Sequence, residues 1–131
     1  MIKFIYFIFF ICIFSLAMMA CTKKEDKFKN LSCDRFEELI QDNNIQLVDV
    51  RTVVEYSDGH IPSSININAL DANFAADAEE ILQKDRPVAV YCKSGRRSRN
   101  AAKILAEKGY KVYNLDKGIE GWKEMGKEVE K

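Results

Sequence analysis

The stretch Val88-Ala89-Val90-Tyr91-Cys92-Lys93-Ser94-Gly95-Arg96-Arg97-Ser98 decides the fold. Its first four residues are apolar, the composition of a strand buried on both faces of a parallel sheet. Cys92 ends the run. A small loop with a lysine, a glycine and two arginines follows, and an amphipathic helical pattern runs from Ser98 to Lys108. This reads as strand, tight turn and helix N-terminus, with a thiol at the pivot. Three effects there favour a thiolate. Backbone N–H groups of a tight loop form an anion-binding nest. The first N–H groups of the helix lack intrahelical partners and carry the positive end of its dipole. Lys93, Arg96 and Arg97 add formal charge. A free cysteine titrates near ~8.5, and surroundings of this type lower that to roughly 3.5–7.5. A cysteine after an apolar run is by itself a small core hydrophobe. Adjacent arginines beside a glycine are poor core material, however, and serve well around an oxyanion. Cys92 is therefore read as a nucleophile in a pocket for an anionic substrate.

Strand-like and helical segments alternate along the rest of the chain, which implies an α/β fold with a parallel sheet. In such sheets ligands collect outside the carboxyl ends of the strands, where Cys92 falls. Ser32 is placed to N-cap a helix from Cys33 to Gln41, with Phe36, Leu39 and Ile40 on one face. Cys33 is then a structural first-turn residue, with a resolving role toward Cys92 as the alternative. Ile45–Val50 is a central strand. Thr52 and Glu55 have capping-box spacing and open a short helix closed by Asp58-Gly59. Ile65 and Ile67 alternate with Asn66 and Asn68 in a short strand with one wet face. Phe74, Ala78, Ile81 and Leu82 fall at helical spacing, with Asp77, Glu79 and Glu80 opposite. Ala101, Ala102, Ile104 and Leu105 form the apolar stripe of the helix after the loop, which Gly109 ends. Tyr110–Leu115 is a further strand and Gly118–Lys123 a last helix anchored by Trp122.

The loop from Cys92 to Arg97 with Ser98 resembles the active-site loop of single-domain rhodaneses, with Lys93 where arginine is commoner. Val48-Asp49-Val50-Arg51, Glu55-Tyr56, Gly59-His60-Ile61-Pro62 and Ile65-Asn66 resemble that family's first signature. Ala101, Leu105, Gly109-Tyr110, Val112, Leu115, Gly118 and Trp122 resemble its closing segment. Ser63-Ser64 stands where Gly-Ala is common, and Lys117 where the first of two glycines usually sits. The resemblance implies a rhodanese-like three-layer α/β/α domain over residues 30–131. It also implies sulfurtransfer: Cys92 takes the outer sulfur of thiosulfate as a persulfide and passes it to cyanide or a thiol. Lys93, Ser94, Gly95, Arg96, Arg97 and Ser98 would bind the donor, Asp49 and Arg51 would be structural, and no cofactor or metal is needed.

Composition narrows the alternatives. The 131 residues carry 20 basic and 20 acidic side chains, which argues against a nucleic-acid binder. The length suits one domain, expected to be monomeric. Four cysteines without a Cys-x-x-Cys or a His/Cys cluster make neither a disulfide framework nor a zinc site. His60 is the sole histidine. Its Gly-His-Ile-Pro turn favours a hydrogen bond to neighbouring backbone over a Cys–His dyad. A cysteine phosphatase would need arginine after Cys-x5, and that position is Ser98. A partner-binding sulfur carrier without turnover is the remaining rival.

Residues 1–20 read as an export signal: Lys3, an unbroken apolar run from Phe4 to Phe14, then small residues leading to Ala20-Cys21. The Ala-Cys junction resembles a bacterial lipobox, with Met18 where leucine is usual. Cys21 is then the lipidated N-terminus, residues 21–29 a polar tether, and the domain a membrane-tethered one in the cell envelope, outside the cytoplasm. The competing reading is an uncleaved anchor, at the short edge of what spans a bilayer. Intact-mass measurement of the native protein should find Cys21 diacylated and Met1 absent; a mass that includes Met1 overturns cleavage.

Overall fold

A computed structural model describes residues 27–131. The expected signal at 1–20 and the lipidation site Cys21 lie outside the described residues. Five parallel strands run β1 Lys29–Leu31, β2 Gln46–Asp49, β3 Ile65–Asn66, β4 Val88–Tyr91 and β5 Val112–Leu115. Their order across the sheet is β1-β5-β4-β2-β3, and each neighbouring pair is parallel. The helices are α1 Cys33–Leu39, α2 Val53–Asp58, α3 Phe74–Ile81, α4 Arg96–Glu107 and α5 Gly118–Glu124.

Alternation along the central strands builds two cores. Val48, Val88, Val90 and Val112 face Phe74 and Ala78 of α3 and Ala101, Ala102 and Leu105 of α4. Leu47, Ala89, Tyr91 and Leu115 face Phe36 of α1 and Ile119 and Trp122 of α5. Phe36 meets Trp122 edge to face, ring centroids 6.3 Å apart, a geometry favoured by the ring quadrupoles. This is the expected three-layer α/β/α arrangement. β4 lies in the middle and is buried on both faces, so its continuous apolar run needs no polar alternation.

Several boundaries differ from expectation, each for a local reason. β1 starts at Lys29, inside the stretch expected to be tether, because β5 supplies it with a parallel partner. With an exposed, polar first half it has no hydrophobic pattern to read. β3 stops at Asn66: Ile65 is exposed and only Ile67 is buried. Asn66 is not a wet-face residue, since its amide donates to the Asp49 and Arg51 carbonyls. α3 ends at Ile81, which is half exposed; Leu82 turns extended and takes the core position instead. The Thr52–Glu55 capping box and the Ser32 cap of α1 form as expected.

The two departures from the family pattern have different costs. Lys117 has φ −94°, open to any residue. Ser63 has φ +68°. It follows Pro62 in a turn closed by Ser64 N–H donating to the Ile61 carbonyl, 3.2 Å, and the third position of such a turn favours glycine. Ser63→Gly should therefore stabilise the domain by about 0.5–1 kcal/mol, the left-handed penalty less the entropy lost by glycine. Urea denaturation measures this, and an unchanged or lower midpoint contradicts it.

Candidate active site

The site begins with how β4 is anchored. Tyr91, its last residue, is fully buried; its hydroxyl accepts the Ile61 N–H at 3.0 Å and lies 3.0 Å from Ser64 Oγ. Burial pushes the Tyr91 phenol well above its ordinary range, and the nearby Asp49 charge adds to this. Beside it Asp49 and Arg51 form a buried pair, Nη2–Oδ2 2.7 Å, and Arg51 also donates to the Gly59 carbonyl at 2.7 Å. A buried charge is tolerated only when paired and hydrogen-bonded in this way. These bonds fit the structural reading of both residues.

Cys92 follows at the carboxyl end of β4. Its sulfur accepts the Gly95 N–H at 3.2 Å and the Ser98 hydroxyl at 3.3 Å. The helix start expected at Ser98 is displaced: α4 begins at Arg96, with Gly95 as N-cap at φ 98°. Ser98 lies inside the first turn of the helix and is not its first residue. Its hydroxyl also lies 3.2 Å from the Gly95 carbonyl, inside the first turn, and reaches back to the sulfur. The loop proper is thus only Lys93-Ser94-Gly95.

That loop is wedged between α4 and α5. The Cys92 and Lys93 carbonyls accept the Ile119 and Glu120 N–H groups at 2.9 and 3.1 Å. A Cβ on Gly95 would overlap the Asp116 carbonyl oxygen, and one on Gly118 would overlap the Lys93 carbonyl. Both glycines also hold left-handed backbones, φ +98° and +62°.

Of the expected donor-binding side chains, Lys93, Ser94 and Arg96 are exposed, while Ser98 is buried against the sulfur. Lys93 leans toward Glu120, 3.6 Å, and Arg99 pairs with Asp116, 2.8 Å. Arg97 does not stand open to an anion. It grips Glu55 with both Nη atoms, at 2.7 and 2.8 Å. Arg97 holds the Glu55 carboxyl down at about 2, against the opposing effect of burial. A depressed carboxyl contributes its full stability above its unfolded value of 4.5 and loses it progressively as pH falls from there through about 2, so the pair persists at neutral pH. Among the described residues, Arg96 is the loop arginine without a carboxylate partner within salt-bridge distance.

Sequence reasoning gave Glu55 a capping role alone. The Arg97 contact joins residues 42 positions apart, and no local spacing announces it. Nor is the sulfur in an open pocket: Cys92 is 1% exposed. A cleft of about 550 Å³ lies at the amino ends of β2 and β4, lined by Gln46, Arg86 and Trp122 among others. A smaller one of about 290 Å³ abuts the loop at Lys93 and Glu55.

His60 is structural, as expected. It stacks on Tyr56 with ring centroids 3.8 Å apart, its Nδ1 lies 2.9 Å from the Tyr56 carbonyl, and its backbone pairs with Glu130. Cys33 belongs to the opposite core, where burial pushes its thiol up despite Lys127 nearby.

A model of the rhodanese-like domain matches residues 32–125. The chain belongs to the rhodanese-like family. It is 36% identical over 99 residues to the thiosulfate sulfurtransferase GlpE of Shewanella oneidensis, covering 74% of this chain and 94% of that protein. It is 34% identical over 97 residues to the putative sulfurtransferase YtwF of Bacillus subtilis, covering 73% and 91%. Among solved structures, a rhodanese-related protein from Thermoplasma volcanium superposes with TM-score 0.69 at 29% identity, covering 79% of this chain and 98% of that one. The rhodanese-like loop depends on its two tight glycines. Gly95→Ala and Gly118→Ala should each destabilise the domain by about 2–4 kcal/mol, from overpacking plus a left-handed alanine. Any folded fraction should lose about 10²-fold in activity through displacement of the loop. Chemical denaturation with activity per folded molecule tests this; wild-type values for either variant refute the wedge.

Proposed function

We propose that this rhodanese-family sulfurtransferase moves the outer sulfur of thiosulfate, or a related small anionic donor, onto Cys92 and then to a thiophilic acceptor. The observation that carries the reading is the Cys92 sulfur at the strand-to-helix pivot, receiving N–H and O–H donors from Gly95 and Ser98. Such donors stabilise a sulfur anion, whether thiolate or persulfide.

The Cys92 thiolate attacks the outer sulfur of the donor, forming a new S–S bond. The donor's own S–S bond breaks, and its electron pair leaves with sulfite. Cyanide or a thiolate then attacks the terminal sulfur of the persulfide, and Cys92 departs as thiolate. Electrons and atoms balance without metal or organic cofactor. Two half-reactions through a covalent intermediate give ping-pong kinetics. Arg96, Lys93, Ser94 and the loop N–H groups guide the donor, with Arg97 a fixed charge behind them.

Two features weigh against phosphatase chemistry. The position after Cys-x5 is Ser98, and the nearest fork, on Arg97, is occupied by Glu55. A sulfur that is almost covered is better reached by a projecting terminal atom than by a phosphorus shielded by four oxygens. A carrier that hands its persulfide to a dedicated partner is the second reading, supported by the same cysteine but not by any further contact.

We place this enzyme on the outer side of a membrane, tethered through a diacylated Cys21. The support is the apolar run and Ala20-Cys21 junction of the sequence. Among the described residues no helix is long and apolar enough to cross a membrane.

Intact mass after thiosulfate treatment should show one added sulfur on the wild type and none on Cys92→Ser. The same variant should lose thiosulfate:cyanide turnover by at least about 10³-fold, as for other nucleophile deletions. Turnover surviving in Cys92→Ser overturns the assignment. A persulfide that forms without cyanide turnover favours the carrier.

A further inference from the structure

Arg97 follows Arg96 at the start of α4, yet its guanidinium is committed to a carboxylate from another part of the chain. That carboxylate is itself held in place. Glu55 Oε1 accepts Thr52 N–H at 3.3 Å and Thr52 O–H at 3.1 Å as well as Arg97 Nη1 at 2.7 Å, and Oε2 takes Arg97 Nη2 at 2.8 Å. The capping box fixes Glu55 first, on the helix that follows β2. Arg97 is then drawn to it from the helix that follows β4. The two side chains are only 25% and 29% exposed, so solvent screens the pair incompletely.

Arg97 also sits in the first turn of α4, where a cation opposes the helix dipole. Glu55 offsets that cost. The same turn supplies both donors to the Cys92 sulfur, Gly95 N–H and Ser98 O–H. Fixing Arg97 therefore fixes the turn that holds the sulfur.

We propose that Glu55 is a positioning residue for the sulfur-transfer step. Its two-pronged bond keeps the Arg97 charge beside Cys92 and holds the first turn of α4 in register, leaving donor capture to Arg96, Lys93 and the loop N–H groups. Arg97 is held in its charged form chiefly by the Glu55 bond, against the opposing effect of burial. The inference rests on the sulfurtransfer reading for its kinetics and on geometry alone for its chemistry.

The test compares wild type with Glu55→Gln, Arg97→Gln, the double variant, and the exchanged pair Glu55→Arg/Arg97→Glu. Glutamine still serves the capping box, so Glu55→Gln removes the charge while sparing the helix start. Thiosulfate:cyanide kinetics and urea midpoints are measured on each. Glu55→Gln and Arg97→Gln should each lower kcat about 10- to 100-fold, with KM for thiosulfate changed less than about threefold. The double variant should be no worse than Arg97→Gln, because both act through one contact. The exchanged pair can restore the bridge but puts a carboxylate beside the sulfur, so it should fold and stay as slow as Arg97→Gln.

A tenfold rise in KM with kcat retained would make Arg97 a donor ligand and overturn the proposal. Recovery of wild-type kcat by the exchanged pair would reduce the contact to a structural brace and overturn it too. A further readout does not depend on thiosulfate: alkylation of Cys92 by neutral iodoacetamide, followed by peptide mass, should slow at least about fivefold in Glu55→Gln and Arg97→Gln. If wild type turns over no thiosulfate but this slowing appears, the sulfurtransfer reading fails and the positioning role stands. If turnover is normal and neither variant slows alkylation or kcat, the positioning role fails alone.

Discussion

The site depends on two places where one backbone meets another with no room for a side chain. Gly95 lies against the Asp116 carbonyl and Gly118 against the Lys93 carbonyl. Between these contacts the loop of three residues has little freedom, and two N–H groups of α5 also hold the Cys92 and Lys93 carbonyls. With the segment from Asp116 to Glu120 bearing on it, the loop and the start of α4 present one N–H and one hydroxyl to the sulfur. Preorganised donors of this kind cost no reorganisation when charge develops.

Electrostatics at the loop is more selective than its composition suggests. Lys93, Arg96, Arg97 and Arg99 look like one cationic cluster in the sequence. In the folded domain Arg97 is bound to Glu55, Arg99 to Asp116, and Lys93 approaches Glu120. The cluster is a set of individually balanced charges, with Arg96 exposed at the rim.

The fold was legible because its main features are periodic. Strands buried on both faces write themselves as apolar runs, as in Val88–Tyr91. α4 writes its stripe as Ala101, Ala102 and Leu105, and a capping box is a local rule that Thr52 and Glu55 obey. What escaped was short or non-local. β1 has three residues and mixed polarity, and exists only because β5 is there to pair with it. The start of α4 is two residues earlier than read, since Arg96 and Arg97 add nothing to the apolar stripe, and Ser98 lies inside the first turn with its hydroxyl against the sulfur. The position of Cys92 at the end of β4, before a short loop and a helix, was legible from the residues around it. The commitment of Arg97 was not, since a contact across 42 residues leaves no trace in spacing.

The two cysteines among the described residues lie in cores on opposite faces of the sheet, Cys33 with α1 and α5, Cys92 with α3 and α4. A layer of main chain separates them, so neither can rescue the other by forming an internal bridge. Were Cys92 oxidised to a sulfenic acid, its reduction would have to come from a thiol other than Cys33.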